Sequence, residues 1–168
     1  MQITTTPRLY LRELTPDDAQ SFYDLNLDPD VVQYTGDSVF RTVEDAHIFL
    51  LNYGEYKKYG FGRWAIIRKE DDAFLGWCGL KYSEETHEYD LGFRFFKKYW
   101  NYGYATEAAK ASVELGFNRF NLPAIIGRAM IANTDSVKVL EKIGLTYLEP
   151  FDFEGEDGVI YRILREDF

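Results

Sequence analysis

The stretch "KYWNYGYATEA", residues 98–108, holds the residues whose types and spacing first suggest chemistry. Gly103 stands among aromatics, and an alanine-rich run that must be helical follows at once. The first N–H groups of a helix have no intrahelical partners, and the aligned peptide dipoles place partial positive charge there. A glycine in that turn permits unusual dihedrals and lets a ligand approach the main chain closely. An anion, a pyrophosphate above all, would satisfy those donors and stand in for a side-chain cap. Ala105, Ala108, Ala109, Ser112 and Gly116 form a small-residue face that would bring the helix very close to a sheet. A glycine before a helix also serves a plain strand–helix turn, so the stretch by itself leaves both readings open. It is not a P-loop, having no Gly-Lys-Ser/Thr, nor the GxGxxG dinucleotide fingerprint.

Other chemistries find little material. Cys78, inside "LGWCGL", has no base beside it in the sequence and reads as a small buried core residue rather than a nucleophile. A single cysteine excludes an internal disulfide, and two histidines offer no metal-ligand cluster, so no metal is expected. A formal charge of -9 leaves no lysine and arginine stripe to neutralise phosphates, which argues against a nucleic-acid partner. The same charge slightly favours a cationic partner such as an amine or a basic peptide, and it equally serves solubility. No apolar run approaches the roughly 20 residues that span a bilayer. The start "MQITTTPRLYLRE" shows no basic segment leading into an apolar one, so a cytoplasmic protein without a membrane partner fits best.

At 168 residues and 46% hydrophobic content, the chain reads as one domain, 1–168, with a sizeable core. Residues 8–14 alternate as a first strand, and "TPDD" at 15–18 starts a helix that "DPD" ends near Leu27. In "RTVEDAHIFLLNY", Ala46, Phe49, Leu50 and Tyr53 recur with helical period, and Gly60 closes that helix. "YGEYKKYGFGRW" reads as a helix end and a glycine-rich turn, or as lining for an acceptor pocket. Strands over 63–69, 74–83 and 88–96 with short acidic turns predict an antiparallel meander. A helix over 104–120, a buried strand over 124–131 and a helix over 133–144 follow. Two more strands, 145–153 and 159–166, form a hairpin across "EGEDG". This order predicts an α+β fold around a mixed, mostly antiparallel central sheet flanked by helices.

The sequence also resembles a known family. "FFKKYWNYGYATEA" is similar to the acyl-CoA-binding motif of the GNAT superfamily of N-acetyltransferases, whose pattern is Gln/Arg-x-x-Gly-x-Gly/Ala. "TPRLYLRELTPDD", "WAIIRKEDDAFLGWCGL" and "IANTDSVKVLEKIGL" resemble blocks of its ribosomal-protein N-terminal acetyltransferase-like branch. The four blocks fall in family order and cover nearly the whole chain. The resemblance implies the GNAT fold, with two strands splayed at the acyl-CoA site.

It further implies that the pantetheine arm of acetyl-CoA lies along Phe93, Arg94, Phe95 and Phe96. The turn Trp100, Asn101, Tyr102, Gly103, Tyr104, Ala105 and Thr106 would then hold the pyrophosphate through main-chain N–H groups. Trp100 replaces the motif's Gln/Arg, and Asn101 and Tyr102 stand where Gly and Lys/Arg are frequent. Trp100 and Tyr102 are equally readable as ordinary core or surface aromatics. Asn133 matches a family asparagine that contacts the cofactor arm, and it also suits a helix cap. Leu140 occupies the position where many members carry a tyrosine that protonates the departing thiolate. Ser136 matches a serine that the ribosomal-protein branch is thought to use there, as a hydrogen-bond donor to developing charge; it is also an ordinary first-turn serine.

The implied reaction needs no covalent enzyme intermediate. A lysine-type amine, with a reference pKa of about 10.4, must lose a proton before it attacks a thioester, and a carboxylate can take it. On "THEYDLGF", Asp90 aligns with an acidic residue of the family, Glu88 shares its face by two-residue alternation, and His87 points to the other face. Glu154, Glu156 and Asp157 form a second group of candidates. The expected activity is acetyl transfer from acetyl-CoA to a primary amine, either a protein N-terminus or a small cationic amine. The competing expectation is a silent acyl-CoA-binding sensor or interaction module. A homodimer is a habit of the family.

Overall fold

The computed structural model describes residues 1–36 and 39–168. Eight strands form one sheet: β1 (Gln2–Thr5), β2 (Leu9–Glu13), β3 (Arg63–Arg68), β4 (Phe74–Ser83), β5 (Glu88–Phe95), β6 (Ala124–Met130), β7 (Thr146–Phe153) and β8 (Glu156–Leu164). Their order across the sheet is β1-β2-β3-β4-β5-β6-β8-β7. Every neighbouring pair is antiparallel except β5 and β6, which run parallel. The helices are α1 (Ala19–Leu25), α2 (Pro29–Val32), α3 (Val43–Leu51), α4 (Glu55–Tyr59), α5 (Tyr104–Asn118) and α6 (Thr134–Lys142). None of the described helices is long and apolar enough to cross a membrane.

Strand alternation sends side chains to two faces, and each face has its own core. On one, Leu9, Leu11, Trp64, Ile66, Cys78, Leu80, Leu91 and Phe95 meet α5 and α6. On the other, Ala65 and Ile67 meet Leu14, Ala19 and Phe22 near α1, and Ala46 and Leu50 of α3. The small-residue face of α5 does what its sequence predicts. Ala108, Ala109 and Ser112 are fully buried, and a β-carbon at Gly116 would stand 2.6 Å from Ile125 Cδ1. Cys78 Sγ lies 3.5 Å from Ser112 Oγ inside this layer, and burial pushes its thiol pKa up to about 12. It is a core residue.

Several elements differ from the sequence expectation. β1 is added ahead of the first predicted strand. The 15–27 helix divides into a 3-10 turn, Pro16–Asp18, and α1. "DPD" ends α1 and also starts α2, because Asp28 Oδ1 accepts the Asp30 N–H and Pro29 suits the first helical position. The predicted 41–60 helix breaks after Leu51, since Gly54 opens α4 and Gly60, with φ 81°, closes it. β8 begins at Glu156, so the hairpin turn is only Glu154-Gly155, both at positive φ. Glu156 and Asp157 are therefore strand residues. His87 sits in the β4–β5 turn at φ 56°, just before β5, with Nδ1 2.9 Å from the hydroxyl of Tyr82, which packs on the α5-side core opposite Glu88 and Asp90.

One clasp joins the first hairpin to α5. Glu107 Oε1 accepts from Thr6 Oγ1 (2.6 Å) and Arg8 N (2.9 Å), and Oε2 accepts from Arg8 Nε (2.7 Å). Burial works to raise this carboxyl's pKa, but those hydrogen bonds outweigh it and hold it below the usual range. A depressed carboxyl stabilises the fold above its unfolded pKa, and that stabilisation is lost as pH falls through the folded value. Glu107→Gln is expected to cost about 1–2 kcal/mol in urea unfolding at pH 7. The deficit should shrink as pH falls below about 4. A pH-independent deficit would contradict the assignment.

Candidate active site

Parallel β5 and β6 pair at a single register, Asp90 with Ile126. β5 continues to Phe95 with full pairing to β4 on its other side, from Glu88–Ser83 to Phe95–Gly76. β6 likewise stays paired to β8 through Met130–Gly158. Beyond Asp90 the two strands therefore diverge, and their facing edges have no strand partner. A buried strand edge must find other hydrogen-bond partners. A cleft of about 670 Å³ fills the divergence, lined by β5 residues Phe93, Arg94 and Phe95, the start of α5, the first turns of α6 and the α2 region.

The turn into α5 forms one wall. Gly103 is the residue before the helix, in the left-handed region at φ 79°, ψ 8°, and no side chain caps the helix. Asn101 is also left-handed, at φ 65°. Trp100, Asn101, Gly103, Tyr104, Ala105 and Thr106 all line the cleft. Trp100 also anchors the turn to β5, its Nε1 donating to Phe95 O at 2.9 Å. Tyr102 is 62% exposed and lies outside the lining, as does Phe96.

Sequence reasoning missed the cation at this turn. Arg8 Nη1 donates to Tyr102 O (2.8 Å), and its guanidinium stacks over Tyr104 with Cζ 4.4 Å from the ring centre. A β-carbon at Gly103 would stand 3.4 Å from Arg8 Nη2. A guanidinium therefore stands beside this turn, although Asn101 and Tyr102 carry no charge, and Glu107 holds it there. No local pattern announces it, because the partners are remote in sequence. The α2 region was missed too: Asp30, Val31 and Tyr34 line the cleft, and Asp30 is ion-paired to Lys97.

The opposite wall is the start of α6. Asn133 lines the cleft and caps the helix, its Oδ1 accepting from Ser136 N at 3.3 Å. Ser136 lines the cleft as well. Leu140 is 2% exposed and packs on Gly127, where a β-carbon would be 2.6 Å from Leu140 Cδ2.

Glu88 and Asp90 lie outside the cleft lining, on the sheet face away from α5, at the point where the strands part. Arg128 of β6 faces both: Nη2 reaches Glu88 Oε2 at 2.5 Å, and Nη1 reaches Asp90 Oδ2 at 3.5 Å. The two carboxyls shift in opposite directions. Burial raises Asp90, aided by Glu88 and opposed by Arg63, Arg128 and Lys81. Burial also acts to raise Glu88, but hydrogen bonds from Thr86 and Arg128 prevail and lower it. Adjacent carboxyls pushed apart in this way are suited to different roles, and the raised one is the stronger base. Glu154 sits in the β7–β8 hairpin turn.

Comparisons with known proteins agree with this geometry. Residues 8–146 match the family model described as an acetyltransferase (GNAT) domain. The chain is 37% identical to the uncharacterized N-acetyltransferase YnaD of Bacillus subtilis (strain 168), over 98% of both chains. Among solved structures, a GNAT-family acetyltransferase from Bacillus anthracis superposes with a TM-score of 0.84 at 31% identity, covering 99% of each chain. At 16% identity, and so for the fold alone, a spermidine N-acetyltransferase from Vibrio cholerae, solved with CoA and spermine, superposes with a TM-score of 0.81 over 96% of this chain and 98% of that one.

The left-handed turn gives a direct test. Gly103→Val places a β-branched residue where the backbone is left-handed, at a strain of about 1–2 kcal/mol. The expected result is at least a tenfold weaker calorimetric affinity for acetyl-CoA, with only about 2–8 °C lost in Tm. Unchanged affinity would remove the turn from the binding site.

Proposed function

The chain belongs to the GNAT family of acetyltransferases, and on that premise we propose that it transfers an acetyl group from acetyl-CoA to a primary amine. One observation carries the reading: the diverging edges of β5 and β6 and the uncapped start of α5 open into the same cleft. A pantetheine arm has amide groups that can hydrogen-bond a strand edge, and a pyrophosphate suits a helix N-terminus beside a guanidinium. In this reading Phe93, Arg94 and Phe95 flank the arm. Main-chain N–H groups from Gly103 to Thr106 hold the pyrophosphate, with Arg8 beside them. Asn133 and Ser136 border the thioester end.

The reaction follows by direct attack. The acceptor ammonium gives a proton to Asp90, directly or through water, and the free amine attacks the thioester carbonyl carbon. The new C–N bond forms, the tetrahedral centre collapses, and the C–S bond breaks. The thiolate takes up the proton that the acylated nitrogen sheds, directly or through water, so the products are an N-acetyl amine and CoA. Asp90 is the better base of its pair because burial raises its carboxyl, whereas Arg128 helps to hold Glu88 low. Ser136 contributes a donor to the developing thiolate charge.

A second reading is a silent acyl-CoA-binding module. It is favoured by Leu140, which is apolar and buried at the position of the usual proton-donating tyrosine. Turnover against an amine panel separates the two.

Asp90→Asn is expected to lower kcat on the order of 100-fold or more near pH 7, with Glu88→Gln less affected. The loss should narrow as pH rises toward the acceptor's pKa, where free amine needs no base. A loss equal at all pH values, or larger for Glu88→Gln, would reject Asp90 as the base. Failure of wild-type protein to turn over any amine while binding acetyl-CoA would select the silent module.

A further inference from the structure

The sheet face bearing Glu88 and Asp90 also carries Arg63, Lys81, Arg94 and Arg128. Arg63 of β3 reaches across β4 to β5: Nη1 donates to Gly79 O of β4 (2.5 Å) and to Asp90 O of β5 (3.0 Å). Its guanidinium lies flat on Gly92, and a β-carbon there would stand 2.7 Å from Arg63 Cζ. Trp77 is stacked by two guanidinium groups, Arg63 and Arg94, each with Cζ 5.3 Å from the ring centre. Arg128 completes the set, facing Glu88 and Asp90 and covering Phe151 at 4.8 Å.

Among the described residues, Glu88 and Asp90 are the carboxylates beside these groups, Lys81 stands opposite Asp90, and both carboxylates face Arg128. Among the described residues Arg63 donates only to main-chain oxygens, with no carboxylate in ion-pair contact. Trp77 Nε1 and Arg128 Nε are buried N–H donors without a hydrogen-bond partner among the described residues. Among the described residues, Arg63 is thus a fixed guanidinium that no carboxylate pairs, and its charge is open to an anionic ligand.

We propose that the amine acceptor is a free amino acid, its carboxylate held by Arg63 while its ammonium faces Asp90; this rests on the transferase reading above. The spacing decides the class. Arg63 is bonded to the main-chain oxygen of Asp90 itself, so the anion-binding group and the base belong to adjacent positions. The acceptor's amine and carboxylate must then be only a few bonds apart. A polypeptide N-terminus offers a neutral amide carbonyl there, and a polyamine would set a second ammonium against the guanidinium. The formal charge of -9 favours cations at acidic surfaces, but selection at a site follows the groups that touch the ligand.

The test uses the full-length protein with acetyl-CoA and three acceptor sets: the common amino acids, their carboxamides, and spermidine with short peptides. Some free amino acid should exceed its own carboxamide in kcat/KM by about tenfold or more. Arg63→Met should abolish that ratio and Arg63→Lys should keep part of it, a readout that loss of packing alone would not move. Calorimetric titration of the same pairs into the protein–CoA complex keeps the question separate from turnover. Acid binding over amide without any turnover would fail the transferase reading and uphold the recognition. Equal or better use of carboxamides, peptides or spermidine would overturn the proposal while leaving the transferase intact. Absence of any preference in both assays would overturn it too.

Discussion

The structure turns on the parting of two parallel strands. β5 and β6 meet at one register, Asp90 with Ile126, and then separate while each stays zipped to its outer neighbour. A sheet interior cannot hold two unpaired edges at no cost, because main-chain polar groups there need partners. The opening persists because α5 and α6 cover one side and the α2 region the other, and the resulting space lies between them. The same divergence places the start of α5, the start of α6 and the β5 edge around a common volume. A long ligand with amides along its arm and anions at its end matches that volume in shape and polarity.

Charge is distributed against the average. The chain is acidic as a whole, yet Arg8 guards the α5 turn, and Arg63, Arg94 and Arg128 cluster on the face where Asp90 sits. Each is fixed by something specific: Arg8 by Glu107, Arg63 by main-chain oxygens over Gly92, Arg94 by Asn26 Oδ1, and Arg128 by Glu88. Fixed guanidinium groups lose little further entropy when an anion arrives, so they are suited to recognition. Asp90 gains from the same arrangement, since its partial burial strengthens it as a base while the nearby cations keep its charged form accessible.

What could be read from the sequence was what is local. The Gly103 turn, the small-residue face of α5 and the Asn133 cap depend on a few consecutive residues, and each stands where the spacing put it. The alternation that set Glu88 and Asp90 on one face held for the same reason. The splay entered only through family resemblance, because pairing between strands some thirty residues apart leaves no periodic trace. Arg8, Arg63 and Arg128 were invisible as a group, since the β1–β2 turn, β3 and β6 bring them in from distant parts of the sequence. The helical period of 46–53 misled, because it runs past the end of α3 at Leu51 and its cap Asn52. There Tyr53 leaves the helix, and its hydroxyl instead accepts the Arg63 N–H at 2.8 Å.

The central claim is that the open edge of β5 and the uncapped start of α5 are completed by one ligand. Amide hydrogen exchange of the protein, with and without saturating acetyl-CoA, tests it most directly. The account predicts that exchange slows together in two segments, 91–95 and 103–106, while β3 and the β7–β8 turn are unchanged. Protection confined to one segment, or appearing elsewhere in the sheet, would contradict it.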